Sequence, residues 1–390
     1  MRKDVVGAAV LSAAAMFVIL AAGAALFSGC VPADSERPAP IVVAPTVNAE
    51  YLAAGIDQPA ALAFLPDGRV LFAEKNTGLI RVISNDELLD EPFAALAANT
   101  AGERGLLGVA AHPDFSKNNR VYAFYARSDT GTATSDPRAI VDYRVVYLTA
   151  AGDVADGGEV FVASIAATSG TTRIGGRIAF APDGKLLIAL GDFGDETTGQ
   201  SSSSPAGKVL RLNDDGSIPT DNPTTGSAVL ARGIRDPRGL TVEPLSGGVF
   251  LVDRNSGGHE EVNRIDAGAN YGWPSVVGVA STSDELAFAA ANGNYRDPFY
   301  ESGSSAPGLS GGGFNPSGRY GPRVQNDFFY GEAGTRRVIH AVLSAESSEF
   351  SARTIFADGF PSAIVDVAFT PAGTMYVACE TAILRLAPVR

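Results

Sequence analysis

The stretch Phe180-Ala181-Pro182-Asp183-Gly184-Lys185-Leu186-Leu187-Ile188 decides the fold. Pro fixes one backbone dihedral, Asp-Gly supplies the tight turn, and the aliphatic run that follows suits a buried, pleated strand. The phrase returns as Phe64-Leu65-Pro66-Asp67-Gly68-Arg69-Val70-Leu71-Phe72 and as Phe369-Thr370-Pro371-Ala372-Gly373-Thr374-Met375-Tyr376-Val377. Looser versions run from Val242-Glu243-Pro244 to Phe250-Leu251-Val252, and from Ala111-His112-Pro113-Asp114-Phe115 to Val121-Tyr122-Ala123-Phe124. Each copy predicts a hairpin whose second strand is buried.

The copies fall near one or two multiples of about 60 residues, more than a solenoid turn needs and enough for a four-stranded blade with long loops. Residues 51–390 then hold roughly six such units. The expected fold is all-β, a six-bladed β-propeller whose final strand closes the ring with N-terminal strands. A pair of β-sandwiches is the competing architecture, but it does not account for one phrase recurring at long spacing.

Composition agrees: 44 Gly and 23 Pro in 390 residues mean many turns and few long helices. With 30 Lys and Arg against 43 Asp and Glu, the net charge of −13 leaves no footprint for a phosphate backbone. Nucleic acid is excluded as a partner. Two cysteines give neither a disulfide framework nor a four-cysteine zinc site, and imidazole chemistry rests on His112, His259 and His340 alone.

The N-terminus reads as an address. Arg2 and Lys3 precede an uncharged run from Val5 to Gly29, closed by Leu26-Phe27-Ser28-Gly29-Cys30. Residues 1–29 are expected to be a lipoprotein-type signal peptide, with Cys30 acylated and anchoring the body to a membrane outside the cytoplasm. Phe27 stands where the lipobox pattern prefers Leu, and the run is also long enough to span a bilayer as an uncleaved anchor. Residues 30–50, with Pro32, Pro38, Pro40 and Pro45, form a semi-rigid tether. Cys379 then lacks a disulfide partner and reads as a small buried residue of the last strand.

Five further motifs carry a family resemblance. They are Arg104-Gly105-Leu106-Leu107-Gly108 with His112-Pro113-Asp114-Phe115; Gly175-Gly176-Arg177 leading to Gly191-Asp192; Gly207-Lys208-Val209-Leu210-Arg211-Leu212 with Asp221-Asn222-Pro223; Gly233-Ile234-Arg235-Asp236-Pro237-Arg238-Gly239-Leu240; and Asn270-Tyr271-Gly272-Trp273-Pro274. In this order they resemble the soluble glucose and sorbosone dehydrogenases, six-bladed propellers that use pyrroloquinoline quinone (PQQ) and calcium. The resemblance implies quinone-dependent oxidation of an aldose, with a histidine accepting the anomeric hydroxyl proton, arginines holding the quinone carboxylates, and electrons leaving to an extracytoplasmic acceptor.

The resemblance also exposes departures. The family's base aligns with Arg173, which stays protonated at any working pH and cannot serve as general base. A second family histidine, in a loop whose carbonyls meet the cofactor's calcium, aligns with Arg254, followed by Asn255 and Ser256. The family's Arg-Asn pair beside the cofactor becomes Arg235-Asp236, and its last-blade cations become Ala363 and Val365. The expectation is an intact fold with base and cofactor clamp largely missing. Glu103 and Asp192 fall where the family lines its substrate pocket; with Asp236 they either make the mouth acidic or pair with Arg173, Arg235 and Arg254. Glu261 and Tyr271 match the family's structural calcium site, which takes oxygen ligands.

The histidines offer no obvious replacement. His259 lies in the Arg254 loop and is the one expected near the mouth, His112 bonds backbone in its turn, and His340 sits in a strand without an acidic sequence neighbour. Trp273 is expected to pack, and Gly311-Gly312-Gly313 reads as a flexible loop. Three functions follow: a sugar dehydrogenase crippled by Arg173, a non-catalytic propeller that binds carbohydrate or protein, or a calcium-dependent sugar lactonase.

Overall fold

In a computed structural model of the chain, residues 47–255, 257–344 and 348–388 are described; the signal segment with Cys30, the tether up to residue 46, and Ser256 lie outside the described residues. The described chain forms six antiparallel sheets, five of four strands and one of five. The strands opening each sheet are Pro59–Phe64, Leu106–Ala111, Gly175–Phe180, Pro237–Val242, Leu309–Phe314 and Ile364–Phe369, which define blades 1 to 6. These six strands touch in that order, and the last touches the first, so they circle a common axis. The expected six-bladed propeller is what forms.

The recurring phrase makes the same turn in its three close copies. In blade 1 the Leu65 N–H donates to the Arg69 carbonyl (2.9 Å) and the Gly68 N–H to the Leu65 carbonyl (3.0 Å). Ala181 and Gly184 repeat the pair in blade 3 at 2.9 Å each, and Thr370 and Gly373 in blade 6 at 2.9 and 2.8 Å. Gly68, Gly184 and Gly373 sit at φ of +96°, +76° and +82°, where a side chain is strained. The strands that follow, Val70–Glu74, Leu186–Leu190 and Met375–Cys379, are buried along their whole length, as is Val249–Asp253 in blade 4.

Packing between blades supplies the core. Tyr122, Phe124 and Tyr143 of blade 2 meet Ile188 and Leu190 of blade 3, while Phe250 of blade 4 packs on Phe314 and Phe328 of blade 5. Each such side chain contributes about 1.5–3 kcal/mol on leaving water. Every blade therefore depends on both neighbours, and the ring has to be closed.

Closure is made by Val47–Ala54, which pairs antiparallel with Ala382–Pro388 as the outermost strand of blade 6. Residues 47–50, read from sequence as tether, are thus already strand. Cys379 is buried as expected but ends Met375–Cys379, the strand before the last. Gly311-Gly312-Gly313 is no loop: it lies in Leu309–Phe314, the innermost strand of blade 5. A Cβ on Gly311 would stand 1.9 Å from Asp366 Oδ1, and one on Gly239 2.9 Å from the Gly311 Cα. Close approach at the axis, not flexibility, demands these glycines.

Candidate active site

Because each blade's first two strands are antiparallel, the start of the innermost strand and the end of the second lie at the same end of the ring. Six blades therefore bring twelve strand ends and their loops to one mouth. A cavity of about 360 Å³ opens there, its charged wall made by Lys75, Glu103, Arg177, Arg238, Arg254 and Glu380. That volume lies within the range of about 300–1,000 Å³ typical of small-molecule sites.

Four cations face two carboxylates on this wall, and the cations are incompletely paired. Arg254 donates from Nε and Nη2 to the Leu309 carbonyl (3.1 Å each) and from Nη2 to that of Gly308 (3.2 Å). Burial, and then the charge of Arg238, pull its pKa down. Arg177, likewise lowered by burial, donates to the Ala60 carbonyl and reaches Asp366 only at 4.0 Å. Burial also lowers the Lys75 ammonium. Arg238 is better served: its Nη2 binds Glu103 Oε1 (2.9 Å) and Asp236 Oδ2 (2.7 Å).

The rim above is a second network. Arg173 adopts a left-handed φ of +54°, held there by its N–H donating to Glu103 Oε2. Its Nε donates to Asp192 Oδ1 at 2.6 Å, and Asp192 is completely buried. Trp273 Nε1 donates to Asp192 Oδ2 (3.0 Å) and the Gly194 N–H to Oδ1 (2.8 Å), so both carboxylate oxygens are engaged. The Arg235 guanidinium lies over the Trp273 ring, 4.9 Å from its centroid, and donates from Nη1 to the Arg254 carbonyl at 3.1 Å. Burial opposes the charge of Arg173, and the hydrogen bond and charge of Asp192 outweigh it, so its pKa stays above the ordinary value.

Asp253 organises the loop between these networks. Its carboxylate accepts from the N–H groups of Arg235 (2.8 Å) and Asp236 (2.5 Å). Burial nevertheless pushes its pKa up to about 7 against those donors. Asp236 is raised as well, by burial, with Arg238 opposing. For Glu103 burial also works upward, but the charge and hydrogen bonds of Arg238 and the Arg173 N–H outweigh it and hold the group ionised.

The structure thus gathers Glu103, Arg173, Asp192, Arg235 and Asp236 at one mouth; of the ion pairs open from sequence, Arg173 with Asp192 forms, while Glu103 and Asp236 pair with Arg238 and Arg235 and Arg254 bond to carbonyls. Ala363 and Val365 do line the cavity without charge, but Lys75, Arg177 and Arg238 supply cations from blades 1, 3 and 4. Sequence reading passed over them because each sits in or beside a strand motif that reads as purely structural, Arg238 within Gly233–Leu240. Asn255 is spent on its own turn, its carbonyl accepting from the Gly258 N–H (3.2 Å) and its Oδ1 from that of Gly257 (3.4 Å).

Glu261 is buried, with Oε1 accepting from the Gly278 N–H (2.9 Å) and Oε2 from Asn263 Nδ2 (2.8 Å). Burial, and then the charge of Asp253, push its pKa up to about 8. The Tyr271 hydroxyl donates to the Arg264 carbonyl, three residues along the same strand, Glu261–Ile265. Among the described residues, no three or more His, Cys, Asp or Glu side chains converge as a metal site. Asn263 Oδ1, buried and without a hydrogen-bond partner, adds one oxygen beside Glu261.

The histidines stand apart from the cavity wall. His259 Nδ1 lies 2.6 Å from Glu301 Oε2, its side chain 44% exposed. His112 accepts from the Asp114 N–H at 2.9 Å, as its turn requires. His340 has an acidic partner after all: its Nε2 is 2.6 Å from Asp327 Oδ2. Asp327 lies just before the neighbouring strand and comes beside His340 by pairing across the sheet. Trp273 does more than pack, since its indole N–H orients Asp192.

Comparison with known proteins places this geometry. The sequence model of the family described as Glucose / Sorbosone dehydrogenase matches residues 56–386. The aldose sugar dehydrogenase YliI of Escherichia coli (strain K12) is 29% identical over 352 residues, 85% of this chain and 90% of that protein. Quinoprotein glucose dehydrogenase B of Acinetobacter calcoaceticus is 29% identical over 269 residues, 62% of this chain and 55% of that protein. Among solved structures, the soluble aldose sugar dehydrogenase of Escherichia coli in its apo form superposes with a TM-score of 0.74 at 28% identity, covering 88% of this chain and all of that one. The PQQ-bound aldose sugar dehydrogenase of Streptomyces coelicolor shares the fold at a TM-score of 0.72 and 23% identity, over 89% of this chain and 100% of that one.

Proposed function

Since the chain belongs to the glucose/sorbosone dehydrogenase family, we propose that its mouth binds pyrroloquinoline quinone and forms an aldose dehydrogenase centre whose proton-accepting position is filled by Arg173. The cation excess of the cavity wall carries this reading. Four cations against two carboxylates, with Arg254 bonded only to carbonyls, suit a planar polycarboxylate of cofactor size. The similar Streptomyces coelicolor enzyme has been solved with PQQ bound.

Lys75, Arg177, Arg238 and Arg254 would hold the quinone's carboxylates, and Glu103, ionised and facing the cavity, would accept a hydrogen bond from a sugar hydroxyl. When bound, such a quinone supplies a hydride acceptor. Arg173 keeps its proton and cannot take one from the sugar, while both oxygens of Asp192 are occupied by N–H donors. Loss of a positioned general base costs about two to four orders of magnitude in rate. Calcium would be held by Glu261 with backbone carbonyls such as that of Tyr271, a set of hard oxygen ligands.

Titration of the purified protein with PQQ and calcium tests this, followed by dye reduction with an aldose. Saturable binding at micromolar or lower concentration is expected, with turnover that rises on Arg173→His. Absence of binding well above that range overturns the dehydrogenase reading. It would favour a second one, a propeller that binds carbohydrate without oxidising it, which the closed Arg173–Asp192–Trp273 network also supports.

The body is proposed to work outside the cytoplasm, tethered to a membrane through lipidated Cys30. Cys30→Ala should release it from the membrane fraction; retention there would favour an uncleaved apolar anchor.

A further inference from the structure

In a chain of net charge −13, the mouth concentrates Lys75, Arg173, Arg177, Arg235, Arg238 and Arg254. Several of these guanidinium groups are fixed at one end and bare at the other. Arg173 is held by its N–H on Glu103 and its Nε on Asp192, and among the described residues neither of its Nη atoms has a partner. Asp192 meets Arg173 through Nε alone, and also accepts from Trp273 Nε1 on Oδ2 and from the Gly194 N–H on Oδ1. Arg238 bonds through Nε and Nη2, and Arg254 through Nε and Nη2, so that each also leaves Nη1 without a partner among the described residues.

A guanidinium immobilised through Nε presents its two Nη groups as a planar fork, the geometry that binds a carboxylate through two parallel hydrogen bonds. Its side chain is 25% exposed, so the fork is reachable from solvent without being fully hydrated. The left-handed backbone at Arg173 is strained, and the strain is offset by the Glu103 bond that aims the residue. Beside it Glu103, with 38% of its side chain exposed, offers acceptor oxygens for hydroxyl groups.

We propose that the ligand of this mouth is an acidic saccharide, a sugar carrying a carboxylate, and that Arg173 is the residue that selects it. The inference rests on the mouth being a saccharide site. It assigns Arg173 a recognition task that a neutral aldose would leave idle. Attraction between the ligand's carboxylate and the Arg173 guanidinium weakens as salt is raised.

Calorimetry with galacturonate and galactose, which differ only by a carboxylate in place of a hydroxymethyl group, tests the proposal. Galacturonate is expected to bind at least about tenfold more tightly, a gap of the size a charge-assisted bidentate pair provides. Arg173→Gln should lower galacturonate affinity about tenfold or more while leaving galactose unchanged, and Arg173→Lys should recover only part of the loss because it keeps the charge without the fork. Thermal melting of both variants separates this from unfolding. Equal binding of the two sugars, or an equal effect of Arg173→Gln on both, overturns the proposal, as does the absence of galacturonate binding. Tighter binding of galactose 6-phosphate than of galacturonate also overturns it, in favour of a phosphosugar. Preference for galacturonate in a protein that ignores PQQ would leave this inference standing and remove the dehydrogenase; PQQ binding without the preference would do the reverse.

Discussion

Arg173 Nε and Asp192 Oδ1 are 2.6 Å apart, and Asp192 is wholly shielded from solvent while Arg173 is not. The pair is therefore asymmetric: removing the arginine strands a buried charge, whereas removing the carboxylate frees a cation that can still reach water. Arg173→Ala leaves Asp192 with the N–H groups of Trp273 and Gly194 only, and is expected to cost about 1–3 kcal/mol. Chemical denaturation would show a lower midpoint with an unchanged slope. A variant as stable as the parent would mean that Asp192 needs no cation.

Asp253 gives the fold a pH dependence whose sign is fixed. In the unfolded chain its carboxyl loses its proton near pH 4, while in the fold it keeps it to about 7. Between those values the native state binds more protons, so stability falls as pH rises from about 4 to 7 and then levels off. Melting temperatures across that window should trace the decline. Asp253→Asn should flatten it and lower stability throughout, because an amide offers one acceptor where Arg235 and Asp236 present two N–H donors.

Calcium should oppose the raised pKa of Glu261. A divalent cation on its buried carboxylate replaces the proton that burial favours, and the bound state gains about 2.7 kcal/mol at a hundredfold excess over the dissociation constant. A melting temperature that rises with calcium in the parent and stays constant in Glu261→Gln is the expected pattern. A shift that survives the substitution would place the ion elsewhere.

Gly311→Ala tests the crowding at the axis. The added methyl would meet Asp366 Oδ1, the partner of Arg177, at 1.9 Å. Lower stability by several kcal/mol is expected, together with weaker ligand binding in the mouth, whereas Gly68→Ala should act on stability alone through its turn.

The fold was legible because its signal is local: Pro, a turn glycine and a buried strand recur within nine residues in blades 1, 3 and 6, with looser versions in blades 2 and 4. The one copy that escaped, Phe314-Asn315-Pro316-Ser317-Gly318, is separated from its second strand, Phe328–Glu332, by the short 3-10 turns Gly318–Tyr320 and Pro322–Val324. That excursion breaks the spacing on which the pattern depends. The mouth was only half legible. Arg173, Asp192 and Arg235 could be found from their motifs, but Lys75, Arg177 and Arg238 become neighbours only when distant blades close into a ring. The same holds for Asp327 and His340, which lie thirteen residues apart in sequence and meet across a sheet. Sequence spacing carries no information about such meetings.

The seam strand imposes an order of events on the chain. Val47 pairs with Pro388 and Ala54 with Ala382, so the strand that precedes blade 1 has no partner until the strand that follows Cys379 has been made. Until then its N–H and C=O groups are an open edge, able to pair with another chain. Blade 6 can mature only once Ala382–Pro388 has emerged, and this pairing is the least local among the described residues. Joining the two ends and opening the ring in another loop would turn this final step into the formation of a hairpin, and a permuted chain of that kind should fold sooner and aggregate less.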